Sequence, residues 1–180
     1  MSNLTDFFPS GGGGLTPKFE EFNSSGTFTP SQALIDAGGY IELFLVAGGA
    51  STTSGYGYGG SGGEVLIKKM YLSSIQPCSV IIGSGGAVNT TSIGGGSSFQ
   101  GSSAGGTDFA AEGGSYTGNN YSRSSNSWSS GTIGSAGNGV FGYGAGGGSG
   151  GIYEGKPNTG QGANRYNTPA SGYCLIKWYE

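Results

Sequence analysis

The sequence has no histidine and few charged residues. Asp, Glu, Lys and Arg make up 9% of its 180 residues, the formal net charge is −3 at pH 7, and the pI is near 4.8. Without histidine, the commonest general base and the commonest nitrogen ligand for zinc are missing. The seven Lys and Arg residues form no basic patch for phosphate groups. We therefore predict no cofactor, no metal site and no nucleic-acid partner.

Long hydrophobic runs are also missing. No apolar stretch approaches the roughly 18 residues that a membrane-spanning helix needs. The opening "MSNLTDFFPSGGGG" has neither the positive region nor the apolar region of a secretion signal. We expect a chain that is made in the cytoplasm, is not exported by the general secretory route and does not insert into membranes.

Cysteine is scarce, with only Cys78 and Cys174, 96 positions apart. Each lies in a strand-like apolar run. We expect two buried, reduced thiols that act as small apolar side chains, and a disulfide between them is the alternative.

Large aliphatic side chains are few, and glycine takes their place. Leu, Ile, Val and Phe together make up about 18% of the chain, below the roughly 20% floor of ordinary domains, whereas glycine numbers 42. A disordered chain would carry more charge and fewer than 11 Tyr, 9 Phe and 2 Trp. The composition predicts a folded protein with a small side-chain core and much ordered backbone.

Short apolar runs bounded by glycine or proline predict strands, and no helix longer than two turns is expected. The four clearest runs are "GGYIELFLVAGG", "GEVLIKKMYL", "CSVIIGSGG" and "GYCLIKWYE", and "PKFEEFNSSGTFTP" precedes them. "YIELFLV" is apolar on both faces except at Glu42, which favours a central strand. In the last run we expect Cys174, Ile176 and Trp178 on one face and the alternate residues on the other. "SQALIDAGG" predicts one helical turn ended by Gly38 and Gly39.

Glycine pairs and triplets recur between Gly83 and Ser171, as in "GYGAGGGSGG". Ordering glycine costs about 0.5–1 kcal/mol more than ordering alanine, so a compensating structure is needed. We predict that the clusters pack side by side as polyglycine-II segments whose N–H and C=O groups pair laterally. Polar, aromatic interruptions such as "SYTGNNYSRSSNSWSS" are then expected as loops outside this lattice. The overall expectation is a small, mainly β sandwich combined with polyglycine-II-like segments and almost no helix.

Several catalytic motifs match by chance. Ser61 and Ser149 fit the G-x-S-x-G nucleophile pattern, but no histidine can serve as base. "GGIYEGKP" resembles a phosphate loop, yet Pro157 replaces the Ser or Thr that binds magnesium. Asp108 and Glu112 are the one close carboxylate pair in the glycine region, and solvated loop charges explain them better than a glycosidase does. We predict no catalytic residue and no enzymatic activity.

Residues 1–17 predict a separate segment tethered by glycines to a β domain of residues 18–180. The apolar side chains of this segment, Leu4, Phe7 and Phe8, are docking candidates because exposed aromatic rings favour a surface to cover them. A disordered terminus is the alternative.

Aromatic residues in Gly/Ser/Asn-rich sequence are the recognition candidates. Rings among small polar residues are typical of binding loops, since they offer contact area at low entropic cost. The candidates are Tyr116, Tyr121, Arg123, Trp128 and Tyr143. Packing of these rings over the glycine lattice and the β core is the alternative.

The order of these pieces resembles the glycine-rich domains of bacteriophage tail fibres and related virion appendage proteins. The similarity covers residues 26–180. It rests on the succession "YIELFLVAGG", "GSGGEVLIKKMYL", "CSVIIGSGG", "GGGSSFQG", "YGAGGGSGG" and "SGYCLIKWYE".

The resemblance implies a β-sandwich with polyglycine-II segments that recognises a host-surface glycan or protein or attaches to the particle. It also implies a homo-oligomer, with a trimer favoured, located on the virion after synthesis in the host cytoplasm. Residues 1–17 would dock to another virion protein. A structural decoration, adaptor or head-fibre protein without receptor binding is the alternative.

Overall fold

The structure, a computed structural model, describes most of the β domain and only part of the glycine-rich region. The described residues are 14–51, 60, 62–88, 92–101, 104, 109–114, 120–124, 127–131, 158–163 and 168–180. They form a mainly β fold of two sheets, as predicted from the apolar runs.

Ten strands and one short helix make up the described regular structure. In chain order they are β1 (Pro17–Phe22), β2 (Gly26–Phe28), α1 (Gln32–Asp36), β3 (Tyr40–Val46), β4 (Val65–Tyr71), β5 (Cys78–Ile81), β6 (Ser97–Gln100), β7 (Phe109–Ala111), β8 (Asn120–Ser124), β9 (Ser127–Gly131) and β10 (Tyr173–Tyr179).

The larger sheet has the strand order β1-β10-β3-β4-β8-β9, and the smaller has β2-β5-β6-β7. Pairing is antiparallel except where β8 meets β4, at the single parallel position Val65↔Ser124. β3 lies inside the larger sheet and pairs along its whole length with β4, from Tyr40↔Tyr71 to Val46↔Val65. The prediction that the doubly apolar run "YIELFLV" is a central strand is confirmed.

The core lies between the two sheets. Its fully buried side chains come from both, and the largest are Phe28, Ile41, Leu43, Leu45, Val80, Phe99 and Ile176. Along β10, Cys174 and Ile176 enter this core with Trp178 packed at its margin, whereas Tyr173 and Leu175 join a second cluster with Val46 and Val65 on the opposite face. The predicted division of faces in the last strand is confirmed.

Helix α1 begins and ends where the local sequence predicts. The Ser31 hydroxyl caps it by accepting a 3.0 Å hydrogen bond from the Leu34 amide. Gly38 and Gly39 follow with φ of 101° and 70°, a conformation that glycine adopts at little steric cost. The fully buried Leu34 fixes this single turn to the core.

Both cysteines are buried in the core, as expected from their apolar surroundings. Cys78 lies on β5 and Cys174 on β10, and each is a free thiol. Burial, and to a lesser degree the negative charge of Glu20, raises the pKa of Cys174 to about 12. At neutral pH this thiol is protonated and therefore a poor nucleophile.

Candidate functional site

The backbone just after β3 is buried and bonded to many other parts of the chain. Residues 47–51 are all buried, although they carry only alanine, glycine and serine side chains. Their N–H and C=O groups form backbone hydrogen bonds of 2.9 to 3.4 Å with seven residues from six segments of the chain: Glu64, Gly86, Gly114, Ala163, Ala170 and, within one segment, Ser92 and Gly95. A β-strand pairs with at most two neighbours. Residues 47–51 therefore form a packing centre of a different kind, which we call the glycine hub.

Close approach of backbones explains why glycine is needed around this hub. A Cβ added at Gly94 would lie 1.9 Å from the Gly48 carbonyl oxygen, and one added at Gly113 would lie 1.8 Å from the Gly94 oxygen. A Cβ at Gly48 would lie 2.0 Å from the Ser84 oxygen. None of these three glycines has a positive φ. The requirement for glycine is therefore lateral space and not an unusual backbone angle.

Two buried serines form hydrogen bonds with the backbone in and beside the hub. The Ser97 hydroxyl, on β6, donates a 2.7 Å hydrogen bond to the Val46 carbonyl and accepts a 2.9 Å hydrogen bond from the Gly83 amide. The buried Ser51 hydroxyl donates a 2.7 Å hydrogen bond to the Ala87 carbonyl. These bonds satisfy polar groups that would otherwise be buried without partners. Ser97 joins β6 to the end of β3, directly before the hub, and Ser51 joins the hub to Ala87.

The predicted recognition residues Tyr121, Arg123 and Trp128 lie on the β8–β9 hairpin at one end of the larger sheet. The sequence predicted a loop outside the glycine lattice here, and the structure instead has two strands paired in register, with Tyr121 opposite Ser130 and Arg123 opposite Trp128. Alternating apolar residues, the usual signal of a strand, are missing from "NYSRSSNSWSSG", and this hid the hairpin.

The backbone register places these three candidates together. Opposed residues share a face of a hairpin, and so do residues two apart on one strand, so positions 121, 123 and 128 belong to one face. Since Ser124 pairs with Val65, that face continues the side of the sheet to which Leu66 belongs. The other candidates, Tyr116, Tyr143, Leu4, Phe7 and Phe8, lie outside the described residues.

A second surface was missed in the sequence: the face of the larger sheet turned away from the smaller one, which we call the outer face. The register aligns Phe19, Lys177, Glu42 and Lys69 across four strands of this face. Its apolar and aromatic members are Phe19, Tyr40, Phe44, Val46, Val65, Ile67, Tyr71, Tyr173, Leu175 and Tyr179, and Leu15 lies two residues before β1. These residues belong to apolar runs, whereas the predicted recognition residues are aromatics in Gly/Ser/Asn-rich sequence. The two-residue alternation in "YIELFLV" and "YCLIKWY" is the sequence signal that indicates which residues share this face.

Polar groups are interleaved with the rings of the outer face. The Tyr40 and Tyr71 rings lie 5.4 Å apart at 60°. The Tyr40 hydroxyl donates a 3.1 Å hydrogen bond to Glu42, and the Lys69 ammonium lies 3.4 Å from the same carboxylate. The pKa of Tyr40 is raised, mainly by partial desolvation and to a lesser degree by the hydrogen bond to Glu42. The pKa of Lys69 is also raised, first by the charge that Tyr40 acquires at high pH and then by Glu42.

A polar cluster joins the chain's last residue to helix α1. The Ser31 hydroxyl donates to the Glu180 carboxylate, Trp178 Nε1 donates to it at 3.2 Å, and Lys18 Nζ lies 3.8 Å away. These contacts, with the Ser31 bond the strongest, lower the pKa of Glu180. The cluster holds β1, α1 and β10 together at one corner of the sandwich.

Reactive chemistry is not concentrated anywhere in the described part of the chain. No group of three or more His, Cys, Asp or Glu residues able to hold a metal ion occurs there, and no described helix is long and apolar enough to cross a bilayer. The Glu112 amide donates a 3.0 Å hydrogen bond to Glu64. Asp108, the other half of the carboxylate pair considered for a glycosidase, lies outside the described residues.

Comparison with known proteins gives no relative. No protein family, no curated protein and no solved structure matches this chain.

Proposed function

We propose that this chain is a non-enzymatic structural protein of a bacteriophage virion, a tail-fibre or appendage tip that recognises a receptor on the host surface. The observation that carries the proposal is the glycine hub, in which residues 47–51 bond to six separate segments. A core made of paired backbone is stiff and leaves few side chains to define pockets. Such a core suits a protein that presents surface segments and catalyses nothing.

The hub is also what packed polyglycine-II segments would require. A polyglycine-II segment has three residues per turn and no internal hydrogen bonds, so successive N–H and C=O groups point outward in several directions. We propose this conformation for the glycine-rich region as a whole. The order of sequence pieces described for phage fibres supports the same view.

In this proposal the β8–β9 hairpin is the receptor-binding element. Tyr121, Arg123 and Trp128 share one face of the hairpin, which gives two aromatic residues and a guanidinium at neighbouring positions. Tyr116 and Tyr143 extend the candidate surface in sequence. The receptor is a host glycan or protein, and repeated weak contacts in a homo-oligomer, a trimer by resemblance, would supply useful avidity.

Residues 1–17 attach the domain to another virion protein through Leu4, Phe7 and Phe8. The alternative function is a decoration, adaptor or head-fibre protein that stabilises the particle and binds no receptor. A core of paired backbone suits that role equally, so an experiment must separate the two.

Antibody labelling of intact particles, viewed by electron microscopy, tests the location. We expect label at tail or fibre tips. Label spread over the head would favour the decoration role, and particles without label would contradict any place in the virion.

Substitution in the hairpin tests the recognition role. We expect Tyr121→Ala and Trp128→Ala to reduce adsorption of particles to host cells at least tenfold while the thermal midpoint of the isolated protein changes little. Tyr71→Ala, on the exposed outer face, is the matched control. If the hairpin variants lower the midpoint and leave adsorption unchanged, the rings pack against the domain and the receptor lies elsewhere or does not exist.

A further inference from the structure

The outer face carries four of the exposed large apolar side chains of the described chain. Leu15 is 57% exposed, Phe19 70%, Ile67 46% and Tyr71 70%. No described residue covers these four side chains, of which Phe19 lies on β1, Ile67 and Tyr71 lie on β4, and Leu15 lies two residues before β1. Two apolar rows, Tyr179–Tyr40–Tyr71 and Leu175–Phe44–Ile67, lie on either side of a charged row of this face. Exposed apolar surface of this kind on a folded domain usually has an occupant.

We propose that the occupant is the N-terminal segment of the same chain, residues 1–13, with Leu4, Phe7 and Phe8 packed on the outer face. The point of attachment supports this choice. Thr16 exchanges backbone hydrogen bonds with Glu180, and the next pair is Pro17↔Tyr179, so the chain enters β1 at an edge of the outer face. The segment therefore begins beside the surface that needs a cover.

The reach of the segment is sufficient. From β1 across β10 and β3 to β4 is three strand spacings, about 14 Å. Phe8 is six residues from Gly14, so an extended chain can place it up to about 20 Å away. Tyr71 shares the register row of Pro17, three residues along from Gly14, so it is about 17 Å from Gly14 and within reach of Phe8. Ile67 shares the row of Glu21 and is about 27 Å from Gly14, which is beyond Phe7 and Phe8 but within reach of Leu4.

Charge complements the apolar match. Lys177 lies on the outer face between Phe19 and Glu42 and has no ion-pair partner among the described residues. The only acidic residue of the segment is Asp6, next to the two phenylalanines. Because the segment is tethered, its local concentration at the face reaches the millimolar range, and weak contacts are enough to hold it there.

The inference goes beyond the proposed virion role and is tested on the isolated chain. If the segment also docks to another virion protein, the same phenylalanines cannot occupy both surfaces. The free chain then keeps them covered, and docking to the particle uncovers the outer face.

Paramagnetic broadening of amide signals tests the contact. Ser2→Cys carries a nitroxide label, and the buried Cys78 and Cys174 are protected from labelling in the folded chain. We expect the amide signals of residues 67–71 and 177–179 to lose at least half their intensity relative to residues 78–81 of the smaller sheet. Adding Phe7→Ser and Phe8→Ser to the segment, or Tyr71→Ser to the outer face, should abolish that difference.

Two results would overturn the proposal. One is equal broadening of both sheets, or broadening that survives the serine substitutions. The other is transfer of the effect to isotope-labelled chains that carry no nitroxide when the two are mixed, because the occupant would then be a second copy. Both results are independent of whether the protein binds a receptor.

Discussion

At the scale of single residues, the glycines of the hub are determined by the space available to them. Gly94 and Gly14 make the contrast clear: a Cβ at Gly94 would lie 1.9 Å from a backbone oxygen, whereas a Cβ at Gly14 would meet nothing within 4 Å, and neither has a positive φ. The two positions thus carry the same residue for different reasons, and substitution can tell them apart.

We expect Gly94→Ala to destabilise the fold by about 3 kcal/mol or more, because a backbone oxygen cannot move aside as a flexible side chain can. In a chain of this length that is a fall of roughly 6–12 °C in Tm. Gly14→Ala should stay within about 0.5 kcal/mol of the wild type. Thermal unfolding followed by circular dichroism measures both. Equal effects of the two changes would mean that the hub tolerates a methyl group.

The Cys174 thiol gives a prediction about alkaline pH. Its folded pKa of about 12 is above its ordinary value of 9.0, so burial of the neutral thiol contributes stability that is fully present below about pH 9 and is lost as pH rises toward 12. We expect the free energy of unfolding to fall more steeply between pH 9 and 11 in the wild type than in Cys174→Ala. Denaturant titrations at several pH values measure this difference, and parallel curves for the two proteins would contradict the burial.

At the scale of elements, the corner formed by α1, β1 and β10 depends on Ser31. Its hydroxyl both caps α1 and donates to Glu180. The five-residue helix is too short to be stable alone, so its cap and the buried Leu34 hold it in place.

We expect Ser31→Ala to cost about 1 kcal/mol of stability, the usual effect of losing an N-cap. The change should also move the pKa of Glu180 up toward its ordinary value. Because that pKa is lowered in the folded state, Glu180 contributes stability above its unfolded pKa and loses it as pH falls through the folded one. Stability measured at pH 7 and under acid conditions, with an NMR titration of Glu180, tests both effects. Ser79→Ala, exposed on β5, is the control, and an unmoved Glu180 titration would contradict the assignment.

At the scale of the whole molecule, the sequence predicted the sheets better than it predicted the surface. Apolar runs bounded by glycine identified β3, β4, β5 and β10, and the burial of Leu43, Leu45 and Ile176 follows from two-residue alternation. The stretch "SQALIDAGG", ended by Gly38 and Gly39, likewise predicted the short helix. These features depend on local sequence, and local sequence suffices for them.

The rest depends on long-range pairing that no local pattern encodes. The β8–β9 hairpin has too few apolar residues to mark it as strands, and β8 joins the sheet through one parallel position at Val65. The exposure of Phe19 and Tyr71 depends on which elements cover the larger sheet, and that is decided by the three-dimensional arrangement. The hydrogen bonds of residues 47–51 to distant segments also depend on long-range pairing and not on local sequence.

The central claim is that backbone hydrogen bonds among glycine-rich segments are part of the core. Amide hydrogen exchange by NMR tests it most directly, on the amides of Gly48, Gly49, Gly95 and Gly114, whose acceptors are the carbonyls of Gly95, Ala170, Ser84 and Gly48. We predict that these amides exchange as slowly as those of Leu43 and Ile176 in the central strands, through global unfolding. Exchange at the rate of an open loop would show that the glycines are connections around a conventional sandwich, and the hub would have to be abandoned.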